Sequence, residues 1–347
     1  MPEYLNCLKK EISMYKSKLG NDVQLYSVYI GGGTPSVVPE NMMIDLINHI
    51  TKTFGKGRYE FTVECNPGTV DLSKLVAYKR AGVNRISIGG QSCNDKLLNL
   101  VGRKQTYKDL INAVKLVKEA GFDNINVDML IGLPKQKLID VKKMLKFVTS
   151  NDLHHVSAYS LIVEGGTPLD DKIKMGILKV LPDDEIVEMY DYVVAYLKKY
   201  GLNRYEVSNF AQDGYECKHN MNYWKLGEYL GVGVSAHSYM NGIRQANVSD
   251  IKKYIESINN NQLPVISKEY LTTREMKEEY IMLMLRTKDG INLKDYKKLF
   301  FTDLEKDKSS EINFLLSNGF IKIENHHLKV SDNSYYVLNS IVAKLID

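Results

Sequence analysis

The chain has few cysteines, and their spacing suits no metal site. Cys7, Cys65, Cys93 and Cys217 are scattered over 347 residues, with no CxxC and no CxxxCxxC spacing. A zinc or iron–sulfur site needs several thiolates gathered by short spacings. These four read instead as reduced, mostly buried thiols of a reducing compartment. Long hydrophobic runs are also lacking, since nothing approaches the ~18 apolar residues of a membrane span. Met1–Lys10 carries charges where a signal peptide would need an apolar core, so a cytoplasmic protein is expected. The net charge is only +4, and the basic residues are not interleaved with aromatics in a stripe, which gives nucleic-acid binding little support. There is no P-loop, no GxGxxG, no nucleophile elbow and no Ser/His/Asp order. Tryptophan is nearly absent: Trp224 stands alone against 23 tyrosines.

What is present is a repeat. An apolar β-branched run, a polar or glycine turn and an amphipathic helix follow one another several times. Strands are expected at Tyr26–Ile30, Tyr59–Glu64, Arg85–Ile88, Asn124–Ile131 and His155–Leu161. The clearest intervening helix starts at Thr106, with Asp109 placed for a capping box. Leu110, Val114 and Val117 share one of its faces, and Gly121 stands where it should stop. Alternating strands and helices imply a parallel sheet with right-handed crossovers. Polar or glycine residues close every strand in turn (Gly31–Thr34, Glu64, Gln91, Asp128, Tyr159), which favours a βα barrel with one ligand-binding mouth over an open sheet. A helix over Pro2–Leu19 precedes the first of these strands with no strand ahead of it, as if the barrel's first strand were missing. Beyond Glu164 the pattern changes. A long helix is expected at Asp183–Tyr200 and a strand at Asn203–Phe210. An irregular aromatic stretch follows at His219–Tyr239, and then a Lys- and Glu-rich helical region with a short β pair near Phe320–Val330. This divides the chain into a barrel over residues 1–200, an extension over 201–266 and a small winged-helix-like module over 267–347.

The candidate site residues follow from position. The Gly31-Gly32-Gly33-Thr34-Pro35 turn exposes backbone amides at a strand end, serving either as a ligand contact or as a tight turn. Glu64 and Asp128 end strands in apolar company, where they can hold an amine, a ribose hydroxyl or a metal, or pair with Arg85 or Arg103. Gln91 and Arg103 add an amide and a cation, so the set suits a zwitterionic ligand. His219-Asn220-Met221-Asn222-Tyr223-Trp224 is the densest polar–aromatic cluster. A neutral imidazole there can ligate haem iron with Tyr223 and Trp224 covering a flat macrocycle, or it can be a histidine satisfied within the fold. His237 follows a glycine-rich run and is a candidate for the mouth. His154 and His155 read as structural.

In order, the strings YIGGGTPS, VECNPGT, GVNRISIGGQS, LVGRKQT, NINVDMLIGLPKQ, HVSAYSLIVEGGTPL, YEVSNFA, HNMNYW and YLGVGVSAHSY closely resemble those of the HemW haem chaperones. These are radical S-adenosylmethionine (SAM) relatives of the oxygen-independent coproporphyrinogen III oxidase HemN. The resemblance runs to about Asn247 and is looser beyond it. It implies an α/β fold, a partial (β/α)6 radical SAM-type barrel whose first strand is missing here, followed by the winged-helix-like module. By motif matching, Gly32, Gly33 and Thr34 would contact the methionine part of SAM, and Glu64, Gln91, Arg103 and Asp128 the rest. HNMNYW is similar to the HNxxYW motif associated with haem handling, which makes His219 a candidate haem-site residue. Haem and a haem-accepting protein would be the partners, with the electron donor unspecified. The alternatives are the oxidase reaction itself and a cluster-free haem or SAM binder. In the family, three thiolates of a CxxxCxxC loop after the first strand hold a [4Fe–4S] cluster. This chain carries no such loop, and Cys7, on the first helix, cannot replace three ligands. An N-terminally truncated form is the expectation, and whether the chain is an enzyme stays open.

Overall fold

The computed structural model describes residues 1–20 and 22–346. Helix α1 (Pro2–Leu19) is followed by the alternation β1 (Ser27–Ile30), α2 (Glu40–Phe54), β2 (Glu60–Cys65), α3 (Leu72–Ala81), β3 (Arg85–Gln91), α4 (Asp95–Leu100), α5 (Tyr107–Glu119), β4 (Asn124–Ile131), α6 (Leu138–Ser150) and β5 (His155–Ser160). Strands β1 to β5 pair in parallel in chain order, as βα units joined by helical crossovers must. The expected local signals are in place. Thr106 and Asp109 form a capping box at α5, and Gly121 takes φ 86° just beyond that helix.

Then come α7 (Pro168–Lys174), α8 (Asp183–Lys199), β6 (Asn203–Arg204) and β7 (Asn209–Ala211). The single strand expected at Asn203–Phe210 is in fact two. The segment folds back at Glu206–Ser208, so that β7 pairs antiparallel with β5 and with β6, and the parallel barrel ends in a short antiparallel edge. The physical reason is Glu206. It is fully buried, its carboxylate accepts from the Ser208 N–H (3.1 Å) and the Asn209 amide, and this local turn replaces the ladder.

The remaining elements are α9 (Lys218–Trp224), β8 (His237–Met240), β9 (Ile243–Asn247), α10 (Ile251–Asn259), β10 (Val265–Tyr270), α11 (Thr273–Met284), β11 (Ile291–Asn292), α12 (Leu293–Phe300), α13 (Leu304–Asp307), α14 (Ser309–Ser317), β12 (Ile321–Glu324), β13 (His327–Val330) and α15 (Leu338–Ile346). Strands β8, β9 and β10 form one antiparallel sheet; β11, β13 and β12 form another, packed with α11–α15 in the winged-helix manner around its own apolar core. Helix α9 corrects the expectation of an irregular stretch after His219. No helix among the described residues is long and apolar enough to cross a membrane.

Period-two side-chain alternation decides where the site lies. One face of the main sheet is apolar (Phe61, Val63, Ile86, Ile88, Ile125, Val127, Val156) and buries itself under α2, α3, α5 and α6. The opposite face is polar throughout. Ser27 and Tyr29 on β1, Glu60, Thr62 and Glu64 on β2, Arg85 and Ser87 on β3, Asn126 and Asp128 on β4, and His155 and Ser157 on β5 lie side by side in register.

Helix α1 is tied to distant parts of the chain by one carboxylate. Glu11, fully buried, accepts from the Gly233 N–H (2.9 Å), the Asn247 amide (2.8 Å) and the Tyr254 hydroxyl (2.6 Å). No accepting capacity of Glu11 is spent within α1, which is how a charged residue can occupy a core position.

Candidate functional site

At the upper end of the polar face, the glycine turn closes over Glu64. The Tyr29 hydroxyl donates to Glu64 Oε1 (2.9 Å), and the Gly32 N–H donates to Oε2 (3.1 Å). A Cβ at Gly31 would come within 2.9 Å of the Glu64 side chain and 2.8 Å of the Tyr29 ring, so this glycine is required by close approach. Gly32 takes φ 110°, Gly33 faces open space, and Thr34 leads into a single turn of 3-10 helix at Pro35–Val37. Asp128 sits further along the same face and accepts from the Asn126 amide (2.7 Å). Its carboxyl is pushed up to about 6 by burial, against the Asn126 and Ser157 hydrogen bonds and with a further push from Glu64. Gln91 is buried at the end of β3 in a left-handed conformation (φ 64°), where the register of that strand shifts. Such backbone outliers cluster at functional sites. Gly32, Gly33, Thr34, Glu64 and Gln91 therefore stand at strand ends, whereas Asp128, expected at one, lies inside β4, which pairs with β5 as far as Ile131. Arg103 lies on an exposed turn after α4 and makes no ion pair among the described residues.

The lower half of the polar face is a buried network of which the sequence marked only His155, as structural, and Arg85, as a carboxylate's partner. His155 is hydrogen-bonded at both nitrogens, Nδ1 to Asn126 Oδ1 (2.6 Å) and Nε2 to the Tyr205 hydroxyl (2.8 Å), so it is spent within the fold. Glu60 caps α9: its carboxylate accepts from the Lys218 N–H (3.1 Å), the His219 N–H (3.1 Å) and the Cys217 thiol (3.4 Å). Burial pushes the Cys217 thiol up to about 11, so it remains a donor. The fully buried Arg85 guanidinium lies in the field of Glu60 and keeps its charge there. That cap is why an Asn-rich stretch of poor helix propensity is helical.

His219 stands at the meeting of three elements. Its Nδ1 lies 2.9 Å from Ser27 Oγ, its ring stacks on Tyr29 (centroids 5.0 Å, planes 24° apart), and its Nε2 lies 3.0 Å from the Tyr223 hydroxyl one turn along α9. Burial lowers its pKa to about 4, against the pull of Glu60, so the imidazole is neutral at physiological pH, the form that ligates metals. Tyr223 packs edge-on to Tyr229 (4.6 Å), and Tyr229 meets Tyr239 (6.5 Å), so a row of rings runs from β1 across α9 to β8. Beyond it lies a cleft of about 140 Å³ lined by Tyr223, Tyr229, Tyr239, Arg244, Glu279 and Met282. Trp224 is half-buried at the last position of α9, off the face shared by His219 and Tyr223. His237 is exposed at the start of β8 and bonds the Ser235 carbonyl (3.0 Å); no contact joins it to the His219 cluster.

An iron–sulfur cluster finds no home among these residues. No group of three or more His, Cys, Asp or Glu side chains converges anywhere in the described residues; Cys7, Cys65 and Cys217 are buried singly and Cys93 is half-buried. The donor set at the mouth does fit a cationic, zwitterionic ligand such as SAM. It offers two carboxylates, a left-handed glutamine and a glycine turn with open space at Gly33.

Comparison with known proteins shows the family and the fold. The Radical SAM superfamily profile matches residues 10–148, and the HemN C-terminal domain profile matches residues 271–337. The protein named "Heme chaperone HemW" of Bacillus subtilis is 36% identical over 322 residues, covering 92% of this chain and 84% of that one. Its namesake in Lactococcus lactis is 32% identical over 344 residues, covering 99% and 89%. Among solved structures, the radical SAM enzyme coproporphyrinogen III oxidase (HemN) of Escherichia coli superposes with a TM-score of 0.84 at 19% identity, over 99% of this chain and 82% of that one, and so shares the fold.

Proposed function

Because this chain belongs to the HemW heme chaperone family of radical SAM proteins, we propose that it binds haem and hands it to an acceptor protein, with His219 as the haem-contacting residue. The observation that carries the reading is the neutral His219 ring, stacked on Tyr29 and met edge-on by Tyr223, in a row of aromatic rings against which a flat macrocycle can rest. Haem is cargo here and the acceptor is a second protein. Four free cysteines fit a cytoplasmic setting. The His219→Ala variant is expected to lose haem affinity by more than the roughly 10–100-fold that an outer-shell partner is worth, with the fold intact by circular dichroism. Unchanged affinity in a haem titration sinks the reading. Release of CO2 from coproporphyrinogen III would instead favour the oxidase reaction.

The barrel mouth is the place for SAM in the same proposal. Gly32, Gly33 and Thr34 line the methionine side, and Glu64, Gln91 and Asp128 offer polar contacts for the rest. Arg103, exposed after α4, would supply the cation for the SAM carboxylate. SAM carries a sulfonium and an ammonium, which favour an ionised Asp128. Its carboxyl titrates at about 6, so SAM affinity should rise as pH climbs through 6 and level off above it. Asp128→Asn should weaken binding at neutral pH and flatten that profile; calorimetric titration at pH 5 and pH 8 reads both.

A further inference from the structure

The environment of His219 treats its two ring nitrogens differently. Nδ1 points inward to a part-buried contact with Ser27 Oγ (2.9 Å), while Nε2 meets the Tyr223 hydroxyl (3.0 Å) on the exposed side. A neutral imidazole has one N–H and one lone pair, and the hydrogen bond made by one nitrogen determines which form the other takes. Both partners are hydroxyls, but a phenol is the more acidic and so the stronger donor: Tyr223 suits the lone pair on Nε2, which leaves Ser27 to accept the Nδ1 proton.

The sheet holds the accepting partner in place. Ser27 and Tyr29 lie two residues apart on β1, hence on one face, and Glu60 is the register partner of Ser27 on β2. Glu60 holds the backbone N–H groups of Lys218 and His219, Tyr29 holds the plane of the ring, and Ser27 is left to hold its inner nitrogen. The backbones of both strand residues are fixed by pairing with β2. Tyr223, by contrast, is more than a third exposed at the surface and can swing aside.

We infer that Ser27 is a positioning residue: it accepts the Nδ1 proton of His219 and so presents the Nε2 lone pair outward as the iron-binding atom, with the Tyr223 phenol resting on that lone pair until haem displaces it. This deepens the haem reading of the site and rests on it. The substrate class is a porphyrin whose metal takes an axial imidazole. A metal-free porphyrin could use the tyrosine faces and would gain nothing from Nε2. The tautomer is therefore a specificity device for the metallated form.

The test begins on the haem-free protein. With ¹⁵N-labelled histidine, the His219 ring should show the Nδ1-protonated tautomer. Ser27→Ala should move it toward the Nε2-protonated form, and Ser27→Thr, which keeps a hydroxyl, should restore it. Haem affinity should fall roughly 10–100-fold in Ser27→Ala and recover in Ser27→Thr, while affinity for metal-free protoporphyrin stays level. Tyr223→Phe, which frees the lone pair, should bind haem at least as tightly as the parent. An Nε2-protonated ring in the parent protein, or a Ser27→Ala variant with parental tautomer and affinity, overturns the inference. Loss of haem affinity in Tyr223→Phe overturns the displacement by haem. If instead Ser27→Ala shifts the tautomer but His219→Ala binds haem normally, the positioning stands and the haem reading fails, so the two are separable.

Discussion

Replacing Glu60 with alanine should unfold the α9 segment and cost the whole protein about 3–5 kcal/mol, the range expected when one partner of a buried charged arrangement is removed. The carboxylate accepts from two backbone N–H groups and a thiol and lies in the field of the fully buried Arg85. Without it the first turn of α9 loses its cap, and Arg85 keeps a charge with the carboxylate field that favours it gone. Haem binding should disappear with the helix, because the backbone of His219 itself is held by Glu60. Glu60→Gln keeps one accepting oxygen and places an amide donor among donors, so it should fall between alanine and the parent. Chemical denaturation of the three proteins, with haem titration alongside, measures both effects. Parental stability in Glu60→Ala would mean that α9 is held from its other side.

The second large effect is expected at Glu11. Alanine there leaves the Gly233 N–H, the Asn247 amide and the Tyr254 hydroxyl without an acceptor, at roughly 1–3 kcal/mol for each buried group, partly offset because a buried carboxylate is no longer required. A net loss of about 3 kcal/mol is expected. The pH dependence supplies the sign. Burial raises the Glu11 carboxyl, against its three hydrogen bonds, so in the window just above the ordinary glutamate range the folded chain holds a proton that the unfolded chain has released. Stability from this group is therefore complete at low pH and declines as pH rises through the raised value. Glu11→Gln, which cannot ionise, should lose this slope while keeping part of the hydrogen bonding. A parental pH profile in Glu11→Gln would rule the carboxyl out as its source.

Much of the architecture was readable from local chemistry. The Thr106–Asp109 capping box, Gly121 and the strand-end residues Gly32, Glu64 and Gln91 each carry their own signal, because turn and cap preferences act within a few residues. What escaped notice was the lower half of the polar face. Ser27-x-Tyr29, Glu60-x-Thr62-x-Glu64, Arg85-x-Ser87 and His155-x-Ser157 alternate with period two in plain view, yet strands of a parallel sheet are ordinarily apolar on both faces, and that expectation masked the pattern. Helix α9 and the fold-back at Glu206 were unreadable for a different reason. Glu60, which caps α9, is more than 150 residues away from it, with 158 positions separating it from Lys218. The Glu206 turn wins only because a buried carboxylate replaces ladder hydrogen bonds. His237 was placed at the mouth on its glycine neighbours, of which Gly231 serves a close approach of backbone to backbone and Gly233 one to the Tyr4 and Leu8 side chains. A Cβ at Gly231 would meet the His237 carbonyl oxygen at 2.1 Å.

The Glu11 clasp also sets a schedule for the birth of the molecule. Its three donors follow it by 222, 236 and 243 positions along the chain. At roughly 5–20 residues per second, the Tyr254 hydroxyl leaves the ribosome about 12 to 50 seconds after the carboxylate it will bind. During that interval the five parallel strands can assemble, while α1 has nowhere to place its charge. Burial of the Glu11 carboxylate must therefore be among the last events of folding, although its helix lies ahead of all five parallel strands.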